Sequence, residues 1–150
     1  MPSLAQLTAR SGYIFAGTVL HVERATAAGT NQIETVQVQF RVDQAVRGVK
    51  RNQVFTLREW MGLWNAGERY RPGERVFLFL YPASKLGLSS PVGGALGRFA
   101  VDAKGQIVLT KSRLAVLRPE LPKRTAGRDG VPRLDTREFA RAVSRAGGLR

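Results

Sequence analysis

Few side chains in this sequence have the chemistry of a catalytic centre. His21 is the only histidine and the chain has no cysteine, which excludes a thiolate nucleophile and a thiolate metal site. Ser89 and Ser90 have only the distant His21 as an imidazole base, and no nucleophile-elbow motif surrounds them. We therefore predict no catalytic residue, no metal site and no cofactor, and a small hydrolase is the least favoured class.

Three carboxylates near the predicted third and fourth strands have the residue type needed for acid–base catalysis. Each of them adjoins an arginine, in the pairs Arg58–Glu59, Glu68–Arg69 and Glu74–Arg75. Ion pairing at the surface explains this spacing more simply than catalysis does. The carboxylates therefore give no support to an enzymatic function.

Aromatic and basic side chains are interleaved in the segment that follows the predicted third strand. Aromatic rings beside arginines can stack on bases or sugars, or anchor a protein partner. The residues concerned are Arg58, Trp60, Trp64, Tyr70 and Arg71. The alternative is that both tryptophans cover the end of a β-barrel, because large aromatic side chains usually bury most of their surface. Together with the glycine-rich loop at 87–97, this segment is the predicted binding site.

The strand TVQVQFRV at 35–42 supplies a second set of candidate residues. Every second residue is apolar: Val36, Val38, Phe40 and Val42. The polar residues between them include Gln37, Gln39 and Arg41. Because successive side chains of a strand point to opposite faces, the apolar half is predicted to face a core. The polar half is either a ligand-binding face or an ordinary solvated face.

The charge of the chain favours acidic partners. There are 24 Lys and Arg against 11 Asp and Glu in 150 residues, a formal net charge of +13. Such an excess attracts nucleic acid, anionic lipid or acidic polysaccharide, although it also occurs on plain solvated surfaces. Near the C-terminus, Asp135 predicts the cap of a helix, on which Arg137, Arg141 and Arg145 share one face while Phe139 and Val143 dock on the body.

The elements that must position these residues are mostly strands. Strands are predicted at 13–23, 35–42, 53–59, 76–81, 98–102 and 106–110, with a β-bulge at Asp43 or Gln44. A helix capped by Ser3 is predicted over 4–10. We therefore predict a mainly β fold: a small five- to six-stranded antiparallel barrel of the oligonucleotide/oligosaccharide-binding (OB) type at 1–117, with a short N-terminal helix. Residues 118–150 are predicted to form a basic Pro/Gly-rich arm and a C-terminal helix.

Three segments resemble a narrower group of proteins. They are SGYIFAGTVLHVE at 11–23, VQFRVDQAVRG at 38–48 and YRPGERVFLFLY at 70–81. They resemble bacterial proteins related to the OB-fold barrel domain of tissue inhibitors of metalloproteinases and netrin modules. The resemblance implies a barrel and an extracytoplasmic setting. It does not imply protease inhibition, because those inhibitors chelate zinc through an amino-terminal cysteine and this chain begins Met1-Pro2.

The sequence also gives an expectation about location and function. The segment MPSLAQLTARSG lacks the basic and apolar regions of a signal peptide, and no apolar run is long enough to span a membrane, so we expect a soluble chain. The function expected is a non-enzymatic binding module for an unknown macromolecule or polyanion. The alternative is a single-stranded nucleic-acid-binding OB-fold protein that uses Gln37, Gln39 and Arg41 with Trp60 and Trp64.

Overall fold

The computed structural model describes residues 1–26, 33–66, 69–122 and 132–149, and this part of the chain is mainly β. It contains one antiparallel sheet of seven strands in the order β3-β2-β1-β4-β5-β6-β7. The strands are Tyr13–Thr26 (β1), Glu34–Arg47 (β2), Val54–Trp60 (β3), Arg75–Leu80 (β4), Arg98–Val101 (β5), Gln106–Val108 (β6) and Arg133–Asp135 (β7). The predicted mainly β, antiparallel fold is confirmed.

Four α-helices accompany the sheet in the described residues. They are Leu4–Arg10 (α1), Met61–Ala66 (α2), Lys111–Leu117 (α3) and Thr136–Ala146 (α4). The first helix begins as its sequence predicts, because the Ser3 hydroxyl accepts a hydrogen bond from the Gln6 amide at 3.1 Å and the Gln6 side chain accepts one from the Ser3 amide at 2.9 Å. The predicted cap of the last helix is also present, since the Asp135 carboxylate accepts from the Arg137 amide.

The sheet differs in detail from the predicted five- to six-stranded barrel. It has seven strands, and within the described residues it is not closed, because its end strands β3 and β7 do not pair with each other. The extra strand β7 is only three residues long and pairs with β6, which places Leu134 opposite Ile107. Three residues, the last of which is the helix cap Asp135, are too few to show the alternation that identifies a strand in a sequence.

The sheet is buried on both faces over its middle. On one face, helices α1, α3 and α4 pack against the sheet, and on the other face residues of β1 to β4 form a second core with Met61 and Tyr70, which we call the inner core. The segment VFLFLY at 76–81 is apolar at every position, the pattern that predicts a strand covered on both faces, and Val76–Leu80 are indeed all buried. Its residues divide between the two cores: Phe77 and Phe79 on the helix-covered face, and Val76, Leu78 and Leu80 on the inner face.

The predicted bulge in β2 is present and lies at Asp43. Ala16 of β1 pairs with Gln44 and the next residue, Gly17, pairs with Val42, so Asp43 is the additional residue. Gly17 lies in a crowded position beside the bulge, since a Cβ there would lie 3.0 Å from the Phe15 ring and 3.1 Å from the Arg41 carbonyl oxygen. The bulge lets the apolar half of β2 stay on the inner core while the polar half stays outside.

The C-terminal residues belong to the same core as the sheet. Phe139 and Val143 of α4 are fully buried, which confirms their predicted docking. The Phe139 ring packs edge-on against Phe77, with 4.8 Å between ring centroids. Most of the predicted Pro/Gly-rich arm, residues 123–131, lies outside the described residues.

Candidate polyanion-binding face

The polar halves of β2 and β3 form one face of the sheet. Gln37 lies opposite Arg58, and Thr35 lies opposite Trp60, so these side chains project to the same side. Most of the predicted site residues are brought together here, on what we call the polar face: Gln37, Gln39, Arg41, Arg58 and Trp60. The polar face is the uncovered continuation of the face on which α4 packs, because along β1 Ile14, Ala16 and Thr18 share one side and Thr18 lies opposite Arg41.

Trp60 is the aromatic residue of the polar face. Its side chain remains 55% exposed at the end of β3. One surface of the indole lies over Gly62, where an added Cβ would be 2.5 Å from the ring. The backbone of α2 therefore supports the ring from one side and leaves the rest of its surface to solvent.

Trp64 and Tyr70 lie on the opposite side of the sheet from Trp60. Tyr70 is only 3% exposed, and its ring packs edge-on against Phe40 with 5.4 Å between centroids. Trp64 is half-buried 6.1 Å from Tyr70, against the inner core. These two residues therefore cover the end of the inner core, and of the predicted aromatic residues Trp60 alone lies on the polar face.

Arg71 and the three carboxylates of the predicted ion pairs lie in different surroundings. Arg71 is exposed at the start of a turn in which Gly73 has φ of +88°, as the Pro72-Gly73 sequence predicts. Glu74, which immediately precedes β4, pairs with Arg98 of β5 at 2.8 Å rather than with its neighbour in the sequence. Glu59 is buried, and Glu68 lies outside the described residues.

A small ionic network lies where the polar face meets the β2 bulge. The Asp43 carboxylate accepts hydrogen bonds from the Thr18 hydroxyl at 2.6 Å and from the Arg41 Nε at 2.9 Å. Arg41 donates a further hydrogen bond to the Thr18 hydroxyl at 3.3 Å. Arg41 therefore already balances the charge of Asp43. Asp43 does not neutralise the other arginines nearby.

Two adjoining clefts lie between α4 and the β2–β3 connection. One has a volume of about 570 Å³ and the other of about 350 Å³, and they share Gln44, Arg51 and Arg137. We call the combined depression the arginine groove. Its basic residues are Arg51, Arg75, Lys104, Arg137, Arg141 and Arg145.

The charges of the arginine groove are almost all of one sign. The larger cleft is lined by four arginines and by no carboxylate. The smaller cleft contains Asp43, which pairs with Arg41, and Asp135, whose carboxylate caps α4. Arg51, Arg137, Arg141 and Arg145 form no ion pair with any carboxylate in the described part of the chain. The groove is thus a concave surface of unneutralised positive charge.

The sequence predicts part of this groove and misses the rest. Four-residue spacing places Arg137, Arg141 and Arg145 on one face of α4, about 6 Å apart along the helix axis. Arg51 lies in the turn after β2. It faces α4 only because this turn and α4, which are far apart in the sequence, dock on the same body. No local pattern in the sequence carries that information.

The residues considered for catalysis are separated or engaged in other contacts. His21 is exposed, and its Nε2 lies 3.3 Å from Glu23. The Ser89 hydroxyl donates a hydrogen bond to the Tyr81 carbonyl at 2.5 Å. Among the described residues, no group of His, Asp and Glu side chains has the arrangement of a metal site.

None of the helices in the described part of the chain combines the length and the apolar character needed to cross a lipid bilayer. Comparison of the chain with known protein families, with curated proteins and with solved structures found no match. The function is therefore inferred from the geometry of the arginine groove and the polar face.

Proposed function

We propose that this chain is a non-enzymatic binding module for polyanions and that the arginine groove is its main binding surface. The observation that carries the proposal is the convergence of Arg51, Arg137, Arg141 and Arg145 on one cleft that contains no carboxylate. The overall charge of +13 would attract acidic partners from any direction, whereas the groove gives them one place to bind.

The chemistry of arginine supports this function. A guanidinium group presents several donors in a planar fork that matches the oxygens of phosphate, sulfate or carboxylate. Four such groups in one concave surface repel one another when nothing is bound. A ligand with repeated negative charges removes that repulsion and releases its own counterions, so its affinity gains from each arginine that it contacts.

The proposal is tested by replacing the three arginines of α4. Fluorescence anisotropy at low salt would measure the affinity of the full chain for a labelled sulfated polysaccharide and for a labelled single-stranded oligonucleotide. We expect Arg137→Gln/Arg141→Gln/Arg145→Gln to weaken both affinities by roughly tenfold or more, because three charged contacts are lost.

A matched variant separates the groove from the general charge of the protein. Lys85→Gln/Lys111→Gln/Arg118→Gln removes three exposed positive charges that do not line the groove. This variant should bind both probes with nearly the affinity of the original chain. An equal loss of affinity in the two triple variants would reject the groove and leave only diffuse attraction.

Single-stranded nucleic acid is a second candidate for the ligand, and exposed Trp60 is the observation that favours it. The indole lies beside Arg58 and Gln37 on the polar face, an arrangement suited to stacking one base and contacting its phosphate. An oligonucleotide crossing from Trp60 to the groove would pass Arg41, which lies next to Asp43 on the groove wall.

We further propose that the sheet is an OB-like barrel related to netrin-type modules. In support, β1 pairs with both β2 and β4, and the order β3-β2-β1-β4-β5 is that of a five-stranded Greek-key barrel left open between β3 and β5. In such barrels the face of the second and third strands binds the ligand, which corresponds to the polar face. An extracytoplasmic location is proposed on the resemblance of the three sequence segments alone.

A further inference from the structure

A second basic site lies away from the arginine groove, at Arg113 of α3. The pocket in front of it has a volume of about 400 Å³ and is formed by β4, β5, β6 and the start of α3. Its apolar floor includes Val76, Ala100 and Val108, and its polar side chains are Glu74, Arg98, Thr110 and Arg113. Val76 is the one residue that it shares with the groove.

The guanidinium of Arg113 is held firmly but is not neutralised. It stacks on the Phe99 ring, with 4.3 Å from Cζ to the ring centroid, and donates a hydrogen bond to the Leu96 carbonyl at 2.8 Å. Its Nε is buried and has no hydrogen-bond partner among the described residues. Burial also lowers the pKa of Arg113 below its ordinary value, since desolvation disfavours the charged form.

The one carboxylate of the pocket, that of Glu74, already forms an ion pair with the other arginine, Arg98. Glu74 pairs with Arg98 at 2.8 Å, and Arg98 stacks on the Tyr70 ring, 4.1 Å from its centroid. The pocket therefore contains two arginines and one carboxylate, and Arg113 forms no ion pair with a carboxylate of the described chain. A partly buried cation without a counter-charge destabilises a folded protein unless a ligand supplies the opposite charge.

We propose that this pocket binds a small anion whose phosphate or carboxylate group pairs with Arg113; the Thr110 hydroxyl at its edge is already used as the cap of α3. The pocket volume falls within the range of small-molecule sites, about 300–1,000 Å³. The apolar floor suits a compact organic body attached to the anionic group. This site is independent of the polyanion groove, since the two surfaces have no charged residue in common.

Calorimetric titration of the full chain tests the proposal, with inorganic phosphate and with benzoate as separate probes and sodium chloride at matched ionic strength as the reference. We expect saturable binding of at least one probe. Binding of phosphate alone identifies a phosphate ligand, and binding of benzoate alone identifies a carboxylate ligand. If neither probe binds above the chloride reference, the proposal is overturned.

Variants then locate the bound anion. Arg113→Met keeps the packing on Phe99 without the charge, and we expect it to remain folded and to lose affinity for the probe by a factor of about ten or more. Lys111→Gln, on the same helix and outside the pocket, should leave the affinity unchanged. Arg137→Gln/Arg141→Gln/Arg145→Gln should also leave it unchanged, because the groove is a different site.

A spectroscopic readout gives a second criterion. The buried Nε–H of Arg113 should give a protected side-chain signal in a ¹H–¹⁵N spectrum, and the bound anion should shift it. Equal responses of Arg113→Met and Lys111→Gln in the titration, or a bound probe that leaves the Arg113 signal unchanged, would place the anion elsewhere and reject the pocket.

Discussion

Trp60 and Trp64 are four residues apart, and the junction between β3 and α2 sends their side chains to opposite sides of the sheet. Trp60 ends β3 on the polar face, where more than half of its surface is exposed. Trp64 faces back toward Tyr70 and the inner core. At the scale of single residues, the sequence predicts that the tryptophans either bind or pack, and the structure places one on each side.

The two tryptophans are therefore expected to respond differently to replacement by alanine. Trp60→Ala should change the free energy of unfolding by no more than about 0.5 kcal/mol, as is usual for exposed side chains, and should weaken oligonucleotide binding. Trp64→Ala should lower that free energy by about 1–3 kcal/mol, because it removes packing against Tyr70. Urea unfolding and anisotropy measure the two effects.

The polysaccharide probe is the control for this pair. Sugar sulfates have no base to stack, so Trp60→Ala should leave polysaccharide binding unchanged if Trp60 stacks on bases. A large loss of stability in Trp60→Ala, or no effect on the oligonucleotide, would show that Trp60 covers the sheet end and would remove the specific support for nucleic acid.

At the scale of elements, the turn after β2 has a structural and a functional role. Gly48 has φ of +74°, and a Cβ there would lie 2.5 Å from the Gly12 carbonyl oxygen at the start of β1. The same turn holds Arg51 against α4 and is fixed by a hydrogen bond from the Lys50 amide to the Gln53 side chain at 2.8 Å. The position of Arg51 in the groove therefore depends on this turn packing against β1.

Gly48→Ala is expected to lower the free energy of unfolding more than the same substitution at another glycine with a positive φ. Gly94 is the control position, because its φ of +67° is similar and nothing lies within 4 Å of an added Cβ. Gly94→Ala should lower the free energy of unfolding by about 1–2 kcal/mol through backbone strain alone. Gly48→Ala should cost more, since the added methyl also meets backbone, and it should weaken polyanion binding by displacing Arg51. Equal costs in chemical denaturation would contradict this account of the turn.

The sequence predicts the elements that have a clear period and misses those that do not. The alternation in β2, the bulge at Asp43, the doubly buried β4 and the caps at Ser3 and Asp135 are all local signals, and the structure confirms them. Helices α2 and α3 have six and seven residues, too few for a helical period to stand out. They form because Met61, Leu114 and Leu117 find cores to bury in, which is tertiary information.

At the scale of the whole molecule, function depends on how the fold distributes a large positive charge. The net charge of +13 follows from the sequence, but the position of these charges on the folded surface does not. The arginines of α4 are far from β2 in the sequence. Folding brings them opposite the turn that carries Arg51. The same folding neutralises other charges, as in the Arg98–Glu74 and Arg41–Asp43 pairs. The arginine groove is what remains unneutralised, and for that reason we propose it as the binding surface.

The salt dependence of oligonucleotide affinity tests this central claim most directly. For single strands, the logarithm of the affinity falls against the logarithm of salt concentration with a slope of about −0.7 per neutralised phosphate. Contacts with Arg51, Arg137, Arg141 and Arg145 predict a slope of roughly −3 for the original chain and roughly −1 for Arg137→Gln/Arg141→Gln/Arg145→Gln. The control variant Lys85→Gln/Lys111→Gln/Arg118→Gln should keep the slope of the original chain. A groove variant with the original slope would contradict the claim that the polyanion binds there.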